Sequence, residues 1–285
     1  MIFKAARCLT AAVLLGFSLV SAQNDTNGFS CGSTPDRDRI AAVQEQLEGL
    51  PTLWPRRIAA RGPFTVPVVW NVIYDPNNNE GNLPDQIIQT QMAVINQYFN
   101  QIGLGFGLQA IKRTPNRVWF RGGGLSSGYT RQMKDALYIG DAKTLNFYSI
   151  GRFQDGFAGF ATFPWDYGTA PRLDGVVMDY NYLPLGQHVD YNTGKIGVHE
   201  VGHWLGLLHT FEGGCNGGGD YVDDTPAEAS SASGCPAGRD TCAAPGRDPI
   251  ENMMDYSNDP CRRQFTNGQY NRIAKAISQY RGINL

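Results

Sequence analysis

Residues 199–209 hold three of the four histidines in a chain of 285 residues. They run His199, Glu200, Val201, Gly202, His203, Trp204, Leu205, Gly206, Leu207, Leu208, His209. Residues four apart on a helix share a face, so His199 and His203 can aim two imidazoles at one ion. A helix continued past His203 would carry His209 far along the axis. Gly206 resolves this, because glycine adopts the left-handed conformation that ends a helix, and the chain can then turn back. Three imidazoles leave one open position on a tetrahedral zinc, the arrangement of a catalytic site. Glu200 follows a ligand directly and lies beside that open position. There it can take a proton from water that zinc has acidified. His188, alone and upstream, reads as a surface or packed histidine.

Around this segment the chain reads as a mixture of strands and helices. Residues 64–74 are rich in β-branched and aromatic side chains and predict a strand. Pro67 should sit on an edge strand or among the first residues of this one. Residues 75–79 form a turn. Residues 84–101 carry apolar side chains at Ile87, Ile88, Met92, Ile95, Tyr98 and Phe99, the spacing of one helical face, with Pro84 suited to the first helical position. Residues 104–111, 145–150, 159–163 and 175–178 predict further strands. Gly122 to Gly124 predict a loop, and no phosphate-binding lysine pattern follows them. Residues 193–207 predict the histidine-bearing helix. A Gly-, Asp- and Ser-rich stretch spans 213–249, and 266–280 predict a last amphipathic helix with Ile273, Ala276, Ile277 and Tyr280 on one side.

Residues 1–22 read as a signal peptide: Lys4 and Arg7, an apolar run from Leu9 to Val20, then small residues up to Ala22. Secretion follows. The sequon at Asn24 stands very close to the cleavage point. Residues 23–62 are polar, weakly helical from 37 to 50, and broken by Pro51 and Pro55. The pair Arg56 and Arg57 is either a processing site ending a pro-segment or an ordinary basic linker. A formal net charge of -2 argues against a nucleic-acid partner or a polybasic membrane surface. No apolar run is long enough for a membrane anchor. Of six cysteines, Cys8 leaves with the signal, and Cys31 stands alone. Cys215, Cys235, Cys242 and Cys261 cluster late, and four cysteines allow three connectivities.

The pattern HExxHxxGxxH is the metzincin signature. With the stretch Glu251, Asn252, Met253, Met254, Asp255, Tyr256, the chain resembles the pappalysin (cytophagalysin) family, and within it the secreted fungal extracellular metalloproteases. The likeness covers most of the chain after Phe64 and is sharpest over 197–261. It implies an α+β metzincin catalytic domain over 63–285. Residues 63–206 would hold a twisted mixed sheet and two main helices. Residues 207–285 would form an irregular, disulfide-tied part ending in a helix. It implies a zinc endopeptidase acting on polypeptides laid along an edge strand, and leaves the oligomeric state open.

Residue by residue, the resemblance makes Met254 the floor under the imidazoles. Tyr256 becomes a donor to the developing oxyanion, the alternative being a core tyrosine. It pairs Cys215 with Cys242 and Cys235 with Cys261. Asp259 falls in the segment that walls the pocket for the residue after the cut bond, where a carboxylate would favour Arg or Lys; it could instead cap a turn. Cys31 would ligate zinc and hold the enzyme latent, or be a free or intermolecular thiol. The loop from Asp220 to Glu228 suits calcium, or is simply a solvated acidic loop. The rival functions are a zinc hydrolase of non-peptide amides and a secreted binding protein that keeps the fold without turnover.

Overall fold

The structure is a computed structural model that describes residues 29–52 and 63–285. The signal peptide, the sequon, the pair Arg56 and Arg57, and the expected boundary at 62 lie outside the described residues.

Five strands form one mixed sheet in the order β2-β1-β3-β5-β4. They are β1 (Phe64–Tyr74), β2 (Leu104–Pro115), β3 (Leu145–Ile150), β4 (Gly159–Ala161) and β5 (Val176–Asp179). The ladders β2/β1, β1/β3 and β3/β5 are parallel, and β4 pairs antiparallel with β5. β1 therefore has a neighbour on each side. Pro67 lies just before the ladder to β3 begins at Val68, so it sits among the first residues of a central strand and not on an edge. β4 is an edge strand.

Alternate side chains of each strand go to opposite faces. Trp70, Val72, Leu145, Phe147, Val176 and Met178 join the main core. Ile73, Tyr148, Ile150 and Val177 join a second one. The main core is covered by α2 (Asp85–Phe99) and α5 (Lys195–Trp204), the second by α3 (Arg117–Gly122) and α4 (Gly128–Leu137). Pro84 is the N-cap of α2, so the first helical residue is Asp85, one later than expected. The glycines expected as a loop are split: Gly122 closes α3, and Gly123 and Gly124 lead to α4.

From Leu205 to Thr266 the chain carries no helix or strand. Two disulfides cross this stretch, Cys215–Cys242 and Cys235–Cys261, the pairing that the resemblance implied. The last helix, α6 (Asn267–Arg281), opens with a capping box in which Thr266 and Gln269 satisfy each other's backbone N–H. Its residues Ile273 and Ile277 enter the main core, which thus continues past Gly206. The N-terminal helix α1 (Arg37–Glu48) lays Ile40, Val43 and Leu47 against Phe163, Trp165, Leu208 and Ala276.

Candidate metal centre

Every residue of α5 from Ile196 to Trp204 is buried, so this helix runs through the core and its register is fixed by packing. Gly202 is required by its neighbour: a Cβ there would stand 2.6 Å from the sulfur of Met254. Met254, itself fully buried, thus packs against the helix between the two histidines. The helix stops at Gly206, whose φ of +103° lies in the left-handed region. Arg272 Nε donates to Gly206 O at 2.9 Å, and Arg281 Nε donates to Trp204 O at 3.1 Å. Arg281 also pairs bidentately with Asp174 and stacks on the Trp204 ring at 3.6 Å. Two arginines of α6 therefore satisfy carbonyls that the end of α5 leaves open.

His199 Nδ1 lies 2.7 Å from Met253 O, and His203 Nδ1 lies 2.9 Å from Leu207 O. A carbonyl only accepts, so each Nδ1 carries the proton and each Nε2 a lone pair. The Nε2 of His203 stands 3.1 Å from that of His199 and 3.1 Å from that of His209. Lone pairs converging in this way are the donor set of a cation. Ligand nitrogens about 2.0–2.1 Å from a tetrahedral zinc stand about 3.3 Å from one another, close to this spacing. Burial keeps all three imidazoles in the neutral form that ligates: it lowers His203 to about 4, and His199 and His209 well below their ordinary value. The residues fit zinc.

Glu200 is fully buried beside the three rings, and burial pushes its carboxyl up to about 8. Gly159 of β4 makes room for it, since a Cβ there would meet Oε1 at 3.0 Å. Its Oε2 accepts from Cys31 Sγ at 3.3 Å and from Ser33 Oγ at 3.4 Å. Cys31 completes the cluster: its sulfur and the three ring nitrogens all lie within 4.8 Å of one another, the one such group among the described residues. The Tyr256 hydroxyl accepts from Cys31 N at 3.0 Å, donates to Cys31 O at 3.2 Å, and lies 3.2 Å from His209 Nε2.

The segment that carries Cys31 lies along the edge strand. Ala158 N donates to Ser30 O at 2.8 Å, and Gly32 N donates to Gly159 O at 2.9 Å. Ser33 Oγ both donates to Ala161 O and accepts from Ala161 N. Phe29, Cys31 and Ser33 are all buried. Phe29 fills a pocket on the Tyr256 side, with ring centroids 4.5 Å from Tyr256, 5.2 Å from Tyr191 and 5.4 Å from His199. The sequence reading missed both Phe29 and Ser33. Their signal is the period of two around the lone cysteine, which is the spacing of one face of an extended chain.

Asp259 is not the free carboxylate expected from the resemblance. Its Oδ1 accepts from Arg262 Nη2 at 2.6 Å, and its Oδ2 accepts from Thr193 N at 2.9 Å and Thr193 Oγ1 at 2.6 Å. The basis for a preference for Arg or Lys is thereby removed, because a buried guanidinium already neutralises the charge. The sequence reading also missed Arg262, whose guanidinium lies 4.6 Å from the Phe29 ring centre. In the acidic loop, the Asp220 carboxylate accepts from Thr225 Oγ1 and Val222 N, and Asp224 accepts from Gly268 N. His188 is exposed and stacks on Tyr182 at 3.9 Å, away from the site.

Three histidines around one point, a buried glutamate beside them and a methionine beneath define a metalloprotease of the metzincin class. The peptidase M43 family, described as pregnancy-associated plasma protein-A, matches residues 130–278. An extracellular metalloprotease of Pyricularia oryzae is 40% identical over 273 residues, covering 94% of this chain and 95% of the relative. Extracellular metalloprotease 1 of Coccidioides posadasii is 35% identical over 274 residues, covering 93% and 94%. Mature mirolysin of Tannerella forsythia, solved in complex with a cleaved peptide, is 27% identical with a TM-score of 0.62, over 74% of this chain and 90% of that one. A promirolysin mutant of the same organism, at 24% identity, shares the fold over 88% of this chain and 94% of that one, with a TM-score of 0.72. The chain belongs to the peptidase M43 family, the pappalysins. Extracellular location agrees with the names of these relatives, and among the described residues no helix is long and apolar enough to cross a membrane.

Proposed function

We propose that the chain is a secreted zinc endopeptidase, made as a latent precursor, in which Glu200 is the general base. The observation that carries this reading is the convergence of three Nε2 atoms next to the buried Glu200 carboxyl group. His199, His203 and His209 would hold the ion. Zinc there supplies Lewis acidity, polarising the scissile carbonyl and making water a nucleophile near neutral pH. Glu200 takes one proton from the attacking water as its oxygen bonds to the carbonyl carbon. It returns that proton to the amine as the carbon–nitrogen bond breaks. The Tyr256 hydroxyl donates to the developing oxyanion. Met254 closes the site below with an apolar surface. The substrate backbone would pair with β4, where the segment around Cys31 now lies.

In this reading Cys31 is the latency ligand. Its sulfur stands where the open coordination position would be, and its contact with Glu200 ties up the base as well. Ser33 adds a second hydrogen bond to the same carboxylate. Activation requires this segment to leave, and cleavage near Arg56 and Arg57 would free it. A catalytic domain beginning near residue 63 follows. No calcium site is assigned, since the oxygens of Asp220 are engaged within its own loop.

Casein digestion by the matured protein, with and without a chelator, tests the reading beside a Glu200→Ala variant. The variant should lose about 10²–10⁴-fold in rate while keeping its zinc. Digestion that survives both the chelator and the substitution would exclude this mechanism. Zinc bound without any cleavage by the matured wild type would favour the binding-protein reading.

A further inference from the structure

Two guanidinium nitrogens near the metal centre have no hydrogen-bond partner among the described residues. Arg262 is fully buried, and of its guanidinium nitrogens only Nη2 is engaged, with Asp259. Nε and Nη1 are buried without an acceptor. Leaving charged donors unmet in a closed interior is costly, so such a group calls for a reason. What lies over it is an aromatic ring. Phe29 is 3% exposed, and the Arg262 carbon lies 4.6 Å from its ring centre. Tyr191, Tyr256 and His199 close the remaining sides of the ring. A guanidinium is flat and weakly hydrated, so it binds a ring face well.

Phe29 stands two residues before Cys31, whose sulfur lies within 4.8 Å of the three ring nitrogens, so its pocket is the one adjoining the reacting bond on the Tyr256 side. Asp259, in the wall expected for the residue after that bond, is paired with Arg262. Asp259 is spent on Arg262 and Thr193. Lys195 Nζ donates to the backbone carbonyls of Asp259 and Arg262. When the Phe29 segment departs, the surface it uncovers is the face of Arg262 with its two spare donors. A lysine or arginine entering there would meet a like charge; the carboxyl groups that act on Arg262 are Asp259, which is paired with it, and the fully buried Asp255, which accepts from Ala232 N.

We propose that this pocket selects an aromatic side chain for the residue following the scissile bond, with the guanidinium face of Arg262 as the specificity determinant. Phe29 occupies it in the latent chain as a substrate side chain would in the active one. This rests on the peptidase reading for its meaning as specificity, and the pocket's preference itself can be measured without any peptidase activity.

The first measurement uses the full chain and the rate at which Cys31 reacts with a chromogenic disulfide reagent. A pocket that prefers aromatic rings keeps Cys31 protected in Phe29→Tyr. It releases the thiol about tenfold faster in Phe29→Ala, and at least as fast in Phe29→Arg. A Phe29→Ala or Phe29→Arg variant that reacts no faster than wild type would overturn the proposal. The second measurement digests a random peptide library with the matured protein and reads the residue after each cut. Phe, Tyr and Trp should be enriched and Lys and Arg depleted. Enrichment of Lys or Arg, or a flat profile, would refute the proposal while leaving the peptidase reading intact. No zinc-dependent cut in any peptide, beside the expected thiol series, would instead remove the peptidase reading and keep the pocket's preference.

Discussion

Two regions bring the histidines together, and they are built differently. Residues 63–204 form a sheet and helices whose backbone groups are paired mainly within regular ladders and turns. Residues 205–266 have no such element, and are held by two disulfides and by buried charged side chains. Arg239 pairs with Asp248 and donates a hydrogen bond to Glu228, and Arg262 pairs with Asp259. His199 and His203 come from the first region, where helical spacing alone sets them side by side. His209, Tyr256 and Arg262 come from the second, where cross-links and ion pairs set them. The first region positions its groups by backbone regularity, the second by covalent and polar ties. Damage should therefore be local in the second region and global in the first.

The largest test of this contrast removes a tie. Replacing Cys215 and Cys242 by serine opens a link spanning 27 residues, which should destabilise the irregular region by about 3 kcal/mol. Hydrogen exchange should quicken in 205–266 and stay slow in β1 and β3. Equal loss of protection in the sheet would mean that the two regions are one cooperative unit. A smaller effect is expected at the joint between them. Gly206→Ala forces a side chain onto a φ of +103° and brings its Cβ to 2.7 Å from that of Ala276. A cost of about 1–3 kcal/mol is expected. Zinc affinity should fall through His209 while helix content stays near wild type. Unchanged affinity would show that the turn does not position the third histidine.

The smallest effect concerns charge within the irregular region. Burial, reinforced by the neighbouring Asp255 carboxylate, pushes Glu228 up from 4.5 to about 9, against the pull of Arg239. Between those two pH values the folded chain holds a proton that the unfolded chain has released. Stability from this group is therefore fully present below about pH 4.5 and is lost as pH rises toward 9. Thermal melts of Glu228→Gln should show a flatter decline over that range than wild type. Parallel curves would remove this role for Glu228.

The same division decides what the sequence could reveal. The histidine helix was expected over 193–207 and spans Lys195–Trp204, because its ligands, its apolar face and its terminal glycine are all local in the chain. The β1, α2 and β3 segments were legible for the same reason. α3 and α4 were not, since both are short and set among glycines, and Trp119 and Phe120 find their partners only through the sheet. The disulfide pairing came from resemblance, as spacing alone leaves three connectivities. Phe29 against Arg262, and Ser33 against Glu200, join residues distant in the chain, and no local pattern announces a partner so far away. Asp259 shows the reverse: a carboxylate at the expected place, whose charge is neutralised by a residue three positions on.

The proposed chemistry requires a single ion held by His199, His203 and His209. Elemental analysis of the purified full chain and of a His203→Ala variant measures this directly. One zinc per wild-type chain, and a loss of most of it in the variant, is the predicted result. A wild-type chain without stoichiometric metal, or a variant that keeps its full complement, would contradict it.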